Sequence, residues 1–360
     1  MSWKILVMST PVGPLGSGLG GGVELTLVNL VQILNQRGHC LQVVAPQGSA
    51  IATDVPLVGI DGNLQITAQT QGRETPAMLP SNAVLANMWD YARQVQADYD
   101  LILNLAYDWL PLYLTPFFFC PIAHFISMGS LSEVMDEIIA RTATKYPGTV
   151  GLYTVSQANT FPNPKQYRCL GSGIDLSLYE FCAEPENQLA WLGRIAPEKG
   201  LEDAIAAAQQ TSIPLKIMGK LQDRPYWDQL NQQYPQAPIE YLGFLSTQEL
   251  QQKLSRCRAL LMTPRWVEAF GNVAIEALAC GVPVISYCRG GPAEIIQDGE
   301  TGWLVEPDRV DGLIDAIARI EQLDRHLCRQ QAEQLYSLEA LGDRFEAWFA
   351  EIIRTNNDRD

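Results

Sequence analysis

Basic residues and histidines are scarce in this sequence. Lysine and arginine together number 25 against 40 aspartates and glutamates, the formal net charge is −15, and there are only three histidines. Because such an acidic surface repels nucleic acid and anionic membranes, we expect neither as a partner. The scarcity of histidine argues against a histidine-rich metal site. We therefore expect small-molecule partners, with no metal and no other cofactor.

Paired cysteines and membrane segments are also absent. The eight cysteines include no C-x-x-C pair, which favours reduced thiols in a cytoplasmic protein over disulfides or a zinc site. Residues 5–8 at the start fit a first strand better than a signal peptide. The most apolar stretch, residues 110–126, contains three prolines and a histidine, so we interpret it as buried chain and not as a membrane span.

What the sequence does contain is a repeated alternation of apolar strands and amphipathic helices. A length of 360 residues suits two domains of ~150–200 residues each. Near-continuous apolar strands separated by helices predict parallel sheets covered on both faces. We predict strands over residues 3–9, 40–45, 101–105, 122–125, 149–155, 189–192, 215–218, 239–242, 259–262, 283–286 and 303–305. We expect a first domain over residues 1–170, a second domain over 171–335, a linker region over 157–186, and a last helix in 336–360 that packs back on the first domain.

A glycine-rich loop follows the first predicted strand. Residues 16–21 read GSGLGG, a literal G-x-G-x-x-G between a strand and a helix. A dinucleotide site would also need an acidic residue at the end of the second strand, but residues 43–47 read VVAPQ. We therefore reject a nicotinamide site. We predict that Gly20, Gly21 and Gly22 let backbone N–H groups approach an anion at the helix start, with a simple tight turn as the alternative.

Two cations lie five residues apart in the loop that opens the second half. Residues 193–200 read GRIAPEKG, between a predicted strand and a predicted helix. Such a loop can direct the planar guanidinium of Arg194 and the ammonium of Lys199 at one diphosphate. Two solvated surface charges are an equally open alternative.

Two glutamates eight residues apart mark a later strand-to-helix junction. Residues 268–276 read EAFGNVAIE. We expect Glu268 in the loop and Glu276 inside the helix, with the N–H groups of Phe270, Gly271 and Asn272 presented to a phosphate. Carboxylates at each end of that anion site can accept hydrogen bonds from sugar hydroxyls. The alternative is one capping glutamate and one buried, paired glutamate.

These segments resemble the motifs of glycosyltransferase family 4, the retaining enzymes of the GT-B fold. Glu268 and Glu276 match the family's E-x(7)-E motif. Four further segments resemble family motifs, namely residues 173–175 (GID), 277–286 (ALACGVPVIS), 290–294 (GGPAE) and 298–305 (DGETGWLV). The likeness extends over nearly the whole chain and is stronger in the second half. It implies an α/β protein with two Rossmann-like, doubly wound domains that face each other across a cleft.

The resemblance also implies that the domain over residues 1–170 binds the acceptor and that the domain over 171–335 binds the nucleotide sugar, and it implies roles for the matched residues. Arg194 and Lys199 would hold the donor diphosphate, Glu276 the ribose hydroxyls, and Glu268 the hydroxyls of the donor sugar. The remaining donor-side positions are the backbone N–H groups near Phe270, Gly271 and Asn272, and the base-binding segments that contain Gly219 and Leu242. His124 matches the family's active-site histidine near the transferred sugar, while Gly20, Gly21 and Gly22 match its acceptor-side loop.

Three features depart from the family pattern. The usual Pro-Ser before the first glutamate is replaced by residues 263–267 (TPRWV), and Arg265 thereby places a cation that the pattern does not explain. Ser172 stands where the interdomain motif has asparagine. Residues 98–100 (DYD) resemble a metal-binding D-x-D, but they open a strand in the wrong half for donor binding, so we expect them to cap that strand.

Residues 9–27 resemble, more specifically, the start of cyanobacterial pteridine glucosyltransferases, which use UDP-glucose and tetrahydrobiopterin. The resemblance implies transfer of glucose from UDP-glucose to a small acceptor such as this pterin, with Tyr107, Trp109 and Phe125 as candidates to stack on a flat ring. All three could equally be core. The rival functions are a membrane-lipid glycosyltransferase of the same fold and a non-catalytic nucleotide-sugar-binding protein. The oligomeric state is not predicted by any motif.

Overall fold

The computed structural model of this protein describes residues 2–357 and divides the chain into two compact units. Within the described residues, one unit comprises 2–173 together with 338–357, and the other comprises Ile174–Ser337. Each unit contains one sheet in which all strand pairs are parallel. Parallel strands need crossover connections, which are usually helical, and the central strands of such sheets are buried on both faces.

The first unit contains a seven-stranded sheet with the order β3-β2-β1-β4-β5-β6-β7. Its strands are β1 (Lys4–Met8), β2 (Cys40–Pro46), β3 (Leu57–Ile60), β4 (Leu101–Asn104), β5 (Ile122–Ile126), β6 (Val150–Leu152) and β7 (Arg168–Cys169). Its helices before residue 174 are α1 (Gly22–Gln36), α2 (Val84–Val95), α3 (Trp109–Leu114), α4 (Glu133–Lys145) and α5 (Val155–Ala158). Every residue of the central strands β4 and β5 is buried, which explains why all but Asn104 and His124 are apolar.

The second unit contains a six-stranded sheet with the order β10-β9-β8-β11-β12-β13. Its strands are β8 (Leu189–Leu192), β9 (Leu215–Met218), β10 (Ile239–Gly243), β11 (Ala259–Met262), β12 (Val284–Tyr287) and β13 (Gly302–Val305). Its helices are α6 (Leu201–Thr211), α7 (Arg224–Gln233), α8 (Thr247–Leu254), α9 (Asn272–Ala279), α10 (Pro292–Ile295), α11 (Val310–Ala318) and α12 (Arg325–Leu335). One buried core joins this sheet to α6 and α11.

The last helix, α13 (Leu338–Asn357), belongs to the first unit. Phe345 is fully buried, with its ring centroid 5.2 Å from that of Phe125. The indole of Trp348 donates a hydrogen bond of 2.6 Å to the carbonyl of Gly148. The chain therefore returns to its first unit after completing the second.

Each predicted strand overlaps an observed strand, but the linker prediction was wrong in its first half. Residues 157–173 belong to the first unit, where β7 pairs with β6 through Gly151 and Arg168. The short, exposed β7 lacks the apolar pattern that would have indicated a strand. Helix α3 was not predicted either, because prolines interrupt its sequence, yet Pro111 lies in the first turn, where its missing N–H costs little. Between residues 2 and 357, no helix combines the length and the apolar composition of a membrane span.

Each sheet has one point at which the strand order reverses. In the first unit, the chain starts at β1, proceeds outward through β2 and β3, and then returns to β4 on the other side of β1. In the second unit, the same reversal separates β8 from β11. In open parallel sheets, ligands bind outside the carboxyl ends of the strands at this switch point. The loops after β1, β4, β8 and β11 are therefore the places to search for a site.

Candidate functional site

The loop after β8 carries the two predicted diphosphate-binding cations. Arg194 donates hydrogen bonds to Glu198 at 3.0 Å and to the side-chain oxygen of Gln222 at 2.6 Å. A short 3-10 turn, Pro197–Lys199, then ends at Gly200, whose φ of +64° favours glycine. The guanidinium is therefore held by two neighbours within this unit before any ligand is considered.

Backbone contacts fix the β8 loop against the β11 loop. A Cβ atom on Gly200 would lie 2.1 Å from the carbonyl oxygen of Thr263, so no side chain fits there. The hydroxyl of Thr263 donates to the carbonyl of Gly200 at 2.7 Å, and the backbone N–H of Arg265 donates to the carbonyl of Glu198 at 2.9 Å. These contacts bring Lys199 beside the loop that contains Glu268.

Lys199, Trp266 and Glu268 form the charged centre of this switch point. The ammonium of Lys199 is hydrogen-bonded to the Glu268 carboxylate and lies 5.0 Å from the centroid of the Trp266 ring. The indole N–H of Trp266 donates to the same carboxylate oxygen at 3.1 Å. Burial by itself would raise the pKa of Glu268, but the positive charge and hydrogen bond of Lys199, the Trp266 bond and the charge of Arg194 outweigh it. The pKa is therefore lowered, and Glu268 is held ionised.

Gly271 and Gly291 determine the backbone conformation at the junction between this loop and α9. Gly271 has a φ of +97° and precedes the first residue of α9, Asn272. A Cβ atom on Gly291 would lie 2.3 Å from the carbonyl oxygen of Phe270, and the N–H of Gly291 donates to the carbonyl of Glu268 at 2.7 Å. The motif at residues 290–294 therefore supports the backbone of the E-x(7)-E segment. That the amides of residues 270–272 contact phosphate stays a prediction.

Glu276 lies inside α9, as expected, but in an environment opposite to that of Glu268. The residue is 8% exposed, and one carboxyl oxygen accepts a hydrogen bond of 2.9 Å from the hydroxyl of Tyr179. Burial raises the pKa of Glu276 to about 7, and the Tyr179 bond only partly offsets this. Near neutral pH the carboxyl is thus divided between its protonated and ionised forms.

The predicted base-binding segments follow β9 and lie in β10. A Cβ atom on Gly219 would lie 1.9 Å from the carbonyl oxygen of Gly193, which explains why glycine is required beside the Arg194 loop. The N–H of Gly219 donates to the carbonyl of Gly243 at 2.8 Å, one residue after Leu242. The structure therefore places these segments next to the cation loop, while their contact with a base stays a prediction.

Arg265, which the family pattern did not explain, belongs to an ion-pair network. Its guanidinium lies 3.1 Å from Glu202, 2.8 Å from Asp203 and 2.7 Å from Asp308. Asp308 also pairs with Arg289 at 2.7 Å. These contacts connect the β11 loop to the start of α6 and to the segment after β13, so the observed role of Arg265 is structural.

In the first unit, His124 lies within β5 and is fully buried. One ring nitrogen lies 3.2 Å from the amide nitrogen of Asn104, and the other lies 2.9 Å from the hydroxyl oxygen of Thr115. Burial lowers the pKa of His124 to about 3, so the ring is neutral. Its catalytic role stays a prediction that would require one of these bonds to be exchanged for a ligand.

The glycine loop of the first unit is held by an internal carboxylate. Glu24, in the first turn of α1, accepts hydrogen bonds from the N–H groups of Gly16 at 3.1 Å and Gly20 at 2.5 Å. Gly21 precedes α1 with a φ of +65°, and Gly22 is its first residue. The amides of Gly16 and Gly20 are thus already bonded to the Glu24 side chain. A contact of Gly20, Gly21 or Gly22 with the acceptor remains a prediction.

The remaining sequence candidates differ in burial. Phe125 is fully buried, with ring centroid distances of 4.7 Å to Tyr153 and 5.2 Å to Phe345, so it is a core residue and cannot stack on a ligand. Tyr107 and Trp109 are only partly buried. Asp100 accepts a hydrogen bond of 2.8 Å from the N–H of Lys4, as a strand cap would. No group of three or more His, Cys, Asp or Glu side chains suited to a metal ion occurs within residues 2–357.

Sequence reasoning missed three residues of the second unit. Trp266 contacts both Lys199 and Glu268, and its position two residues before the first glutamate was the only available signal. Thr263 holds the Lys199 loop in place. Tyr179 bonds Glu276 across 97 residues of sequence, a separation at which no local pattern could have indicated it.

Comparison with known proteins finds its family match in the second unit. Residues 181–336 match the family model described as glycosyl transferases group 1. A curated relative, glycogen synthase of Mycobacterium tuberculosis, is 31% identical over 172 residues, which cover 44% of this chain and 41% of the relative. The chain thus matches well under half the length of that relative.

Two solved structures share the fold of both units. Sucrose-phosphate synthase from Thermosynechococcus elongatus superimposes with a TM-score of 0.79 at 19% identity, covering 98% of this chain and 99% of that one. HepE of Anabaena, solved in complex with UDP and glucose, gives 0.75 at 19% identity, covering 97% and 100%. The chain therefore has the two-domain α/β fold called GT-B, and nearly all of its second unit matches the group 1 glycosyltransferase model.

Proposed function

We propose that this protein is a retaining glycosyltransferase that moves glucose from UDP-glucose to a small acceptor, a pterin such as tetrahydrobiopterin. The observation that carries the proposal is the assembly of Arg194, Lys199 and Glu268 at the switch point of a group 1 glycosyltransferase domain, with Glu276 in the helix that follows. This combination supplies cations for a diphosphate and two carboxylates in different protonation environments.

Each of these residues has a chemical role in the proposed reaction. Arg194 offers a planar fork and Lys199 a compact charge to the diphosphate, and an ammonium has three donors, so its bond to Glu268 leaves donors for a phosphate oxygen. Glu268, held ionised, accepts hydrogen bonds from hydroxyls of the glucose. Glu276 accepts them from the ribose of the nucleotide.

The proposed transfer breaks the bond between the anomeric carbon and the diphosphate oxygen, whose electron pair stays on the diphosphate. The acceptor hydroxyl forms the new bond on the same face of the sugar, and its proton passes to the leaving diphosphate. Arg194 and Lys199 stabilise the negative charge that develops there, which is an effective way for positioned donors to lower a barrier. The configuration at the anomeric carbon is retained.

The pterin acceptor is supported by the segment after β1. Residues 9–27, which resemble pteridine glucosyltransferases, form the loop at the carboxyl end of β1 and the first turns of α1, on one side of the switch point of the first unit. An acceptor that binds there would meet the residues in which the resemblance is strongest.

A product assay tests the proposal directly. Purified protein is incubated with UDP-glucose and tetrahydrobiopterin, and the products are analysed by mass spectrometry and by NMR of the anomeric proton. We expect a pterin hexoside with the α configuration of the donor. A β-glucoside would contradict retention. Transfer of glucose to lipid alone would contradict the pterin as acceptor. Binding of UDP-glucose without any turnover would contradict the proposed enzymatic activity.

A further inference from the structure

Three polar residues lie on segments that meet at the switch point of the first unit, apart from the charged centre of the second unit. Thr10 lies two residues after β1, and Asp108 lies four residues after β4, its neighbour in the sheet. Gln65 connects the two segments. Its backbone N–H donates to the carbonyl of Pro11 at 3.0 Å, and its side-chain amide donates to the carboxylate of Asp108.

Two polar atoms of this group are enclosed without a hydrogen-bond partner in the described chain. Thr10 is 7% exposed, and its hydroxyl oxygen has no partner within residues 2–357. The side-chain oxygen of Gln65 also has no hydrogen-bond partner within these residues, because the amide nitrogen of the same side chain is directed at Asp108. Buried polar atoms are nearly always bonded, so exceptions at a ligand-binding edge indicate what a ligand must offer.

Asp108 adds a carboxylate that can accept further hydrogen bonds. One oxygen accepts the N–H of Leu110 at 3.1 Å, and the other accepts the amide of Gln65. A carboxylate provides about four acceptor positions, so these bonds do not exhaust it. Burial raises the pKa of Asp108, although the bonds from Leu110 and Gln65 act against this. An additional donor from a ligand would favour the ionised form.

Together the group offers two acceptors, Asp108 and the Gln65 oxygen, and a hydroxyl of Thr10 that can donate. The pyrimidinone edge of a pterin presents the complementary set, since its 2-amino group and N3–H are adjacent donors and its O4 is an acceptor. We propose that Thr10, Gln65 and Asp108 bind this edge of the acceptor and thereby select a pterin. The inference deepens the proposed function and rests on it.

The decisive variant is Asp108→Asn, because it separates recognition from folding. Asparagine is as good an N-cap as aspartate, so α3 keeps its start, but its amide group turns a donor toward the donors of the pterin. We expect the KM for tetrahydrobiopterin to rise roughly 10- to 150-fold, as for loss of a hydrogen bond to a charged group. The KM for UDP-glucose and the melting temperature should not change.

A second acceptor provides a reversal test. In the analogue that has oxygen in place of the 2-amino group, the donor at that position becomes an acceptor. The Asp108→Asn variant should therefore use this analogue better than it uses the pterin, while the wild type should show the opposite preference. A residue that merely stabilises α3 would not reverse a preference between acceptors.

Two further variants complete the experiment. Asp100→Asn makes the same substitution just before β4. It should leave the KM for tetrahydrobiopterin and the preference between the two acceptors at wild-type values. Gln65→Met removes the enclosed oxygen at similar volume and should weaken pterin use. If the wild type glucosylates the pterin and Asp108→Asn retains its KM and its preference, this inference is wrong while the proposed function stands. If the wild type transfers glucose to no pterin, the acceptor in the proposed function is wrong.

Discussion

The switch points of the two sheets have the same topology but gather different side chains. Between β8 and β11, the side chains are ionic, with Lys199 bonded to Glu268 and Arg194 bonded to Glu198. Between β1 and β4, they are Thr10, Gln65 and Asp108, with one carboxylate and no cation among the three. A site for a diphosphate needs fixed positive charge, whereas a site for a neutral ring needs matched hydrogen bonds. The contrast favours division of the two substrates between the units.

The cations of the second unit provide the strongest test of this contrast. We expect Arg194→Ala and Lys199→Ala each to lower kcat by ~10²–10³, because each removes a donor from the developing charge on the diphosphate. Steady-state kinetics with UDP-glucose measures the effect. Arg224→Ala, which removes an exposed ion pair with Asp228, is the matched control and should retain wild-type rates. Wild-type rates in both Arg194→Ala and Lys199→Ala would contradict the proposal that these cations stabilise the diphosphate.

The two glutamates of the motif should separate by role. Glu268→Gln should leave UDP affinity nearly intact and lower the rate of transfer, because its proposed partner is the sugar. Glu276→Gln should weaken UDP itself by roughly tenfold, about the value of one hydrogen bond to a charged group. Calorimetric titration with UDP and an assay of transfer give the two quantities. Equal losses of UDP affinity in the two variants would refute the separation.

The affinity for UDP-glucose should depend on pH through the ionisation of Glu276. Because its pKa is about 7 and the ribose hydroxyls need the ionised form, affinity for UDP-glucose should rise about tenfold between pH 6 and pH 8. UDP-glucose is the suitable ligand because its diphosphate does not titrate in this range. Binding by Glu276→Gln should be flat over the same range, and a wild-type profile equally flat would contradict the assignment.

The same shift has a consequence for folding. A carboxyl group whose pKa is raised on folding holds a proton that the unfolded chain releases, so its contribution to stability falls as pH rises from about 4.5 to about 7. In Glu276→Gln this contribution to the pH dependence should disappear, which urea unfolding at pH 5 and pH 7.5 can measure.

Arg265 should affect stability and not transfer. Its three carboxylate partners lie between elements of the second unit, and its side chain is about one-third exposed, so Arg265→Ala should cost about 1 kcal/mol of unfolding free energy. Thermal unfolding measures this loss, and UDP-glucose kinetics is the control. A loss of kcat as large as that of Lys199→Ala would instead place Arg265 at the donor.

Chelation should have the smallest effect. The proposed chemistry uses Arg194 and Lys199 for the charge stabilisation that other enzymes obtain from a metal ion. We therefore expect the rate of transfer to be unchanged by EDTA and by added magnesium or manganese. Loss of activity in the chelator that magnesium or manganese restores would overturn this expectation.

The strands and the family motifs could be predicted because they depend on local sequence. Apolar runs identified the buried strands, and the segments around Glu268 and Glu276 indicated the likeness to glycosyltransferases that the family model also finds. Strand β7 and helix α3 could not be found in this way, because the first is exposed and the second contains proline. Arg265 likewise had no local partner, since two of its three carboxylates lie more than sixty residues earlier in the chain.

The sequence by itself determined which residues stand at the carboxyl ends of the strands, and hence which could bind a nucleotide sugar. Only the tertiary structure decided the state of those residues. It bonds Lys199 to Glu268 and holds that carboxylate ionised, while it buries Glu276 beside Tyr179 and raises its pKa. It also encloses His124, which the resemblance placed near the transferred sugar, and Phe125, which was a candidate to stack on the acceptor. The physical reason is that burial and charge pairing depend on neighbours that are distant in sequence. Together they determine whether a carboxyl group is protonated and whether a side chain is accessible to a ligand.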